Sequence, residues 1–167
     1  MGREITLELV RRGARVAAVD MHQATVAETA ALTGSGVEAF TVDVTDRAAV
    51  AALPSMIEAK FGAVDILINN AGIGYAGPIE LQDMAATQLI FDTNVYGPHR
   101  MARAVLPGMR QAKRGLIVNI SSQLGRVIAP STGHYSPTKF ALEAMSEAMA
   151  YELVPHNVEV SIVQPGG

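Results

Sequence analysis

The chain has 167 residues, enough to bury a sizeable core within one domain. A hydrophobic fraction of 49% against 17% charged residues excludes a disordered chain, and a net charge of -3 gives no electrostatic footprint for nucleic acid or an anionic membrane. The lack of cysteine excludes disulfides and thiolate chemistry, and the four histidines (His22, His99, His134, His156) show no metal-ligand spacing.

The opening "MGREITLELVRRG" reads as an amphipathic helix over residues 2–12, with Arg11, Arg12 and Arg15 as a solvated basic end. Five short, β-branched, nearly continuous apolar runs follow in order. They are "ARVAAVD" (14–20), "VEAFTVDV" (37–44), "VDILINNAG" (64–72), "RGLIVNISS" (114–122) and "VEVSIVQPG" (158–166). Such runs predict strands buried on both faces of a parallel sheet. Between them, helical spacing covers roughly 22–33, 46–61, 80–113 (with a break) and 134–154. Five alternations of strand and helix predict an α/β layered domain with right-handed crossovers. Thr45 or Asp46 suits a helix cap, and Gly34 and Gly36 suit the turn after residue 33. No linker or repeat divides the chain. The N-terminus lacks a signal-peptide pattern and no apolar run approaches ~18 residues, so a soluble cytoplasmic protein is expected.

Chemistry concentrates in "NISSQLGRVIAPSTGHYSPTK", residues 119–139. Pro137 stops regular helix from extending far upstream of His134, which sets Tyr135 and Lys139 in the first turns of a helix. Four residues apart, they share one helix face. An ammonium there stabilises phenolate and moves a tyrosine from its reference of ~10 toward the range of a general acid/base. Ser122 follows the end of a strand, where its hydroxyl can face the same space. Taken alone, a Tyr-x-x-x-Lys pair is also what an exposed helix face offers.

With these residues the chain resembles the short-chain dehydrogenase/reductase family. The matches run in order: Asp20 after a strand, "DV" at 43–44, "NNAG" at 69–72, Asn94, Ser122, "YSPTK" at 135–139 and "PG" at 165–166. The resemblance implies one Rossmann-like, doubly wound domain over residues 1–167, and an NAD(P)-dependent oxidoreductase acting on a small alcohol or carbonyl. It implies Tyr135 as proton donor and acceptor, Lys139 as its activator and a ribose ligand, and Ser122 as a hydrogen-bond donor to the substrate oxygen. Asn94 would hold a water linking Lys139 to solvent; the alternative for Asn94 is an amide capping a kink in a long helix.

Cofactor contacts are implied at Gly2, Asp20, Asp43, Val44, Asn70, Ala71, Gly72, Tyr135, Lys139, Pro165 and Gly166. Asp20 would accept both adenosine ribose hydroxyls and repel a 2′-phosphate, so NAD is expected over NADP; Met21 and His22 follow it, not arginine. Asp20 also suits a cap for the next helix, and Asn69 suits a satisfied amide bridging strands. Ala141, Ala144, Ala148 and Ala150 would let helices approach closely across a homodimer or homotetramer interface in the complete form. These alanines equally serve as plain helix formers.

Relative to the family's TGxxxGxG loop, Met1 stands at the variable position and Gly2 at the last glycine. The family's first strand, its first two loop glycines and its last edge strand are then expected to be missing, leaving two strands without their shared neighbour. Three readings follow: an oxidoreductase shortened at both ends, a short product acting as an interaction partner of longer homologues, or a nucleotide-binding module without turnover.

Overall fold

In the computed structural model, which describes residues 1–166, helix and strand alternate as the periodicity predicts. The order begins α1 (Gly2–Arg11), β1 (Val16–Asp20), α2 (Gln23–Thr33), β2 (Val37–Thr41), α3 (Arg47–Phe61) and β3 (Ile66–Asn69). It continues with α4 (Met84–Phe91), α5 (Gly97–Ala112), β4 (Gly115–Ile120), α6 (Ser136–Leu153) and β5 (Val158–Val163). Local chemistry sets the boundaries. Asp46, not Thr45, caps α3 by accepting the Ala48 and Ala49 amides at 2.9 and 3.0 Å. Gly34 ends α2 at φ 68, in the left-handed region that glycine enters without strain. Pro137 lies in the first turn of α6, where a missing N–H loses no helical bond. The break expected within 80–113 is a π-helical turn, Asp92–Tyr96, between α4 and α5.

All strand pairs are parallel, in two sheets ordered β1–β2 and β3–β4–β5. Among the described residues no ladder joins β1 to β3, in line with the expectation that two strands lack a shared neighbour. Burial on both faces, however, is not general. Only β4, paired on both sides, approaches it, with Ile117 and Asn119 fully buried. Strand β5 alternates and β3 leaves Ile66 half exposed, because an edge strand has one flank that no neighbour covers.

The main core joins the two sheets: Phe40, Val42, Leu67, Ile117 and Val158 pack with Val50 and Leu53 of α3, Met101, Val105 and Met109 of α5 and Leu153 of α6. Ala17 and Val19 also lean on this cluster, whereas Ala18, pointing the other way, is buried outside it on the side of α1 and α2. Helices therefore cover both faces, the arrangement of a doubly wound α/β domain.

A buried amide relay ties β3, β4 and α6 together. Asn69 Nδ2 donates to Asn119 Oδ1 at 2.8 Å, Asn119 Nδ2 donates to Ser146 Oγ at 2.8 Å, and Ser146 Oγ donates to the Leu142 carbonyl at 2.6 Å. The strand-bridging amide expected at Asn69 is therefore present. Asn119→Leu is nearly isosteric and leaves the Asn69 amide without its partner, a loss of about 1–3 kcal/mol in urea unfolding. Adding Asn69→Leu removes the orphaned donor and should recover part of that loss; purely additive losses would contradict the relay.

Candidate active site

Tyr135 stands at the start of α6, where Thr132 organises the entry. The Thr132 carbonyl accepts the Tyr135 and Ser136 amides at 3.1 and 2.8 Å. One turn on, Lys139 is only 4% exposed, and its Nζ lies 5.7 Å from the Tyr135 ring centre. Nζ donates to the Ile120 carbonyl at the end of β4, at 2.8 Å. Burial pushes Lys139 down to about 8, because the charged form loses hydration, while the Glu143 carboxylate opposes that fall.

Asn94 lies in the π-turn, 1% exposed. Its Oδ1 accepts the Ile73 amide at 2.9 Å, and its Nδ2 donates to the Ile73 carbonyl at 2.8 Å and to Thr138 Oγ1 at 3.0 Å. The helix does break here, but the amide reaches across to the loop after β3 and to α6 instead of capping its own helix. Gly72 lets these groups converge: a Cβ there would stand 3.3 Å from Asn94 Oδ1 and 3.6 Å from Lys139 Nζ. At Gly74, a Cβ would lie 3.2 Å from the Tyr135 ring. Ser122 is half-buried, accepts the Leu124 amide at 3.1 Å and caps a single 3-10 turn, Gln123–Gly125. The next residue, Gln123, donates its amide to the Pro165 carbonyl at 2.9 Å, and its Oε1 lies 3.5 Å from a Gly166 Cβ position. Asn94, Ser122, Tyr135, Lys139, Gly72, Pro165 and Gly166 are thus linked at the carboxyl ends of β3, β4 and β5.

The remaining candidate cofactor residues lie along the same edge. Gly2 opens α1 against the Asn70 side chain: a Cβ at Gly2 would be 2.8 Å from Asn70 Nδ2, so a larger residue there would push that amide aside. Ala71, next along, is exposed. Asp20 ends β1 with Oδ1 accepting the His22 amide at 2.8 Å. The α2 cap position belongs to His22, so Asp20 braces the turn before the helix rather than capping it. Asp43 accepts the Thr45 amide at 2.8 Å, and Val44 packs on Gly97 at the start of α5. No group of three or more His, Asp or Glu among the described residues is placed to hold a metal. Among them, too, no helix is long and apolar enough to cross a membrane.

Three further residues shape the site. His134 is buried beside Tyr135; its Nε2, which must carry the proton to bond a carbonyl, faces Ile79 O at 3.2 Å, and its Nδ1 meets Thr87 Oγ1 at 3.0 Å. Glu143 is buried one turn after Lys139, and Gly74 seats the tyrosine ring. The sequence signal for Glu143 is an acid four residues past Lys139, on the same helix face. Nothing local marks His134, whose partners are 47 and 55 residues away.

The chain matches the short chain dehydrogenase family over residues 1–167. It is 44% identical over 130 residues to a 3-ketodihydrosphingosine reductase of Bacteroides thetaiotaomicron, covering 78% of this chain and 48% of that protein. The chain therefore spans about half the length of that relative. Among solved structures, a metagenomic short-chain oxidoreductase in complex with NADP superimposes with a TM-score of 0.94 at 32% identity, covering 99% of this chain and 77% of that one. An NAD+-bound xylitol dehydrogenase gives 0.95 at 29% identity, covering 99% and 65%. Both cofactors thus occur on this fold. A Rossmann-like sheet carrying the Asn94, Ser122, Tyr135 and Lys139 set, matched along its whole length, shows that this chain belongs to the short-chain dehydrogenase family.

Proposed function

We propose that the protein is an NAD(P)-dependent oxidoreductase acting on a secondary alcohol or ketone, with Tyr135 as general acid/base. The observation that carries this reading is the buried Lys139 ammonium beside the Tyr135 ring, with Gly72 and Gly74 leaving room for both side chains. A bound nicotinamide supplies hydride to the carbonyl or accepts it from the alcohol. Tyr135 Oη gives the proton to the carbonyl oxygen, or takes it from the alcohol. Ser122 donates its hydroxyl to that oxygen and stabilises the charge developing there. Asn94 holds the Ile73 loop and Thr138 around Lys139, and keeps a water path between the lysine and solvent. Gly2, Asn70, Ala71, Gly72, Pro165 and Gly166 would hold the cofactor, and at Gly72 a Cβ would crowd Asn94 Oδ1 at 3.3 Å, which keeps that edge open.

Asp20 favours NAD over NADP: at the end of β1 its carboxylate accepts ribose hydroxyls, and no arginine follows it to pair a 2′-phosphate. Two apolar segments border Tyr135. Ile79, Leu81 and Met84 are exposed on one, and Val127 and Ile128 on the other. The Gly77 amide bonds the Ser131 carbonyl at 2.9 Å and Ile79 meets Gly133, so the two segments form one rim suited to a substrate with an apolar body. The subunits pair through α5 and α6 as a homodimer or homotetramer, with Ala144 and Ala148 on the open side of α6. A module without turnover gives no reason to bury a lysine at its hydration cost, so the catalytic reading is preferred.

Three outcomes test it. Tyr135→Phe should lower turnover by at least about 100-fold across a panel of secondary alcohols and ketones, with NADH affinity by fluorescence titration little changed; undiminished turnover would refute the assignment. Lys139 carries its charge below about 8 and loses it above, so kcat/KM should fall as pH rises through that value. A profile still climbing at about pH 10 would contradict the role of the ammonium. Asp20→Ala should raise kcat/KM with NADPH relative to NADH, and an unchanged ratio would remove Asp20 from cofactor choice.

A further inference from the structure

Glu143 is the most deeply buried acid that the reaction does not use, at 3% exposure. Carboxylates are almost never so buried without partners, because the charge loses its hydration. Its Oε2 lies 3.0 Å from Arg126 Nη2 and accepts a hydrogen bond from Gln164 Nε2 at 2.9 Å. Those partners come from different parts of the site. Arg126 follows the 3-10 turn that Ser122 caps, and Gln164 directly precedes Pro165. The Gln123 amide bonded to the Pro165 carbonyl joins the two segments to each other. Glu143 itself belongs to α6, one turn beyond Lys139.

The other carboxylate oxygen confirms how tightly this corner is packed. A Cβ on Gly125 would stand 3.1 Å from Glu143 Oε1 and 2.7 Å from Ser121 Oγ, so the turn after Ser122 closes directly onto the acid. Arg126 also reaches Glu147 at 2.9 Å, one turn further along α6, and straps the same segment to the helix a second time.

We propose that Glu143 is a positioning residue: its carboxylate clamps the Ser122 turn and the Pro165 turn onto the helix that carries Tyr135 and Lys139, and gives Lys139 its counter-charge. Other groups around Lys139 cannot serve as that counter-charge. Asn94, Gly72 and the Ile120 carbonyl face it without charge, and Tyr135 is the remaining titratable neighbour. The attraction opposes the effect of burial on the lysine, so removing the acid's charge should make the ammonium easier to lose.

The catalytic meaning rests on the Tyr135–Lys139 reading above, so the test reads Lys139 directly. Lysine side-chain NMR of the chain across pH gives the Lys139 titration midpoint without any turnover. Glu143→Gln can still accept from Arg126 and Gln164 but carries no charge; the midpoint should fall below that of the parent. A folded Glu143→Gln protein with an unmoved or raised midpoint overturns the proposal, since a carboxylate that only glues the fold would shift the melting temperature alone. If that variant does not fold, Arg126→Gln serves instead. It leaves Glu143 with one competing cation fewer, so the Lys139 midpoint should rise, and a fall overturns the proposal. With turnover in hand, Glu143→Gln should lose more kcat/KM near pH 8 than near pH 6, where Lys139 stays charged in both proteins; an equal loss at both overturns it. A shifted midpoint in a protein that oxidises and reduces nothing would leave the clamp standing and remove the oxidoreductase reading.

Discussion

The side-chain amide of Asn94 is the constraint on which the geometry around Tyr135 and Lys139 depends. A π-turn interrupts the hydrogen-bond ladder between α4 and α5, and the amide held there spends both its polar atoms on other elements. It closes a two-way bond with the Ile73 backbone and a third bond with Thr138, so the loop after β3 is held at a set distance from α6. Lys139 and Tyr135 flank Thr138, and Gly72 and Gly74 flank Ile73, so the same amide aligns the glycines with the side chains they accommodate. With all three bonds made by a side chain that is itself buried, loss of one partner leaves a buried polar group unpaired at a desolvation cost.

Lys139 shows why such rigidity is needed. A buried ammonium is stable only where its few partners are held in place; here they are one backbone carbonyl at 2.8 Å and the field of Glu143. The carbonyl belongs to Ile120, two residues before Ser122, so the lysine is tied to the strand that presents the serine. The hydroxyl, the phenol and the ammonium are therefore placed by one strand end and one helix start rather than by long loops.

Much of this was legible in the chain because periodicity and punctuation are local. Buried parallel strands and amphipathic helices leave distinct spacings, and Asp46, Gly34 and Pro137 act within a turn of themselves. Ser122, Tyr135 and Lys139 could be placed because one strand end and one helix start determine them. What could not be read arises from contacts distant in sequence. Asn94 marked a break, but its reach to Ile73 and Thr138 spans 21 and 44 residues. Asp20 looked like a cap, yet the bend at Met21 and His22 moved the cap position two residues on. Burial on both faces does not hold for β1, β2, β3 and β5, since apolar composition does not reveal which strands have neighbours on both flanks.

The candidate cofactor residues are distributed over both ladders. Asp20 and Asp43 stand at or just past the ends of the β1–β2 pair, while Ser122, Tyr135 and Lys139 are anchored on β4 and α6. Phe40 and Val42 share one core cluster with Leu67 and Ile117, and Arg100 Nη1 of α5 donates to the Val44 carbonyl at 3.1 Å, so apolar packing and a polar bond both link the two groups of strands. Any ligand that bridges Asp20 and Lys139 spans both halves, and part of its binding free energy goes into fixing their relative placement. Its affinity thus depends on core residues such as Phe40 and Leu67, whose packing sets the distance between its two ends.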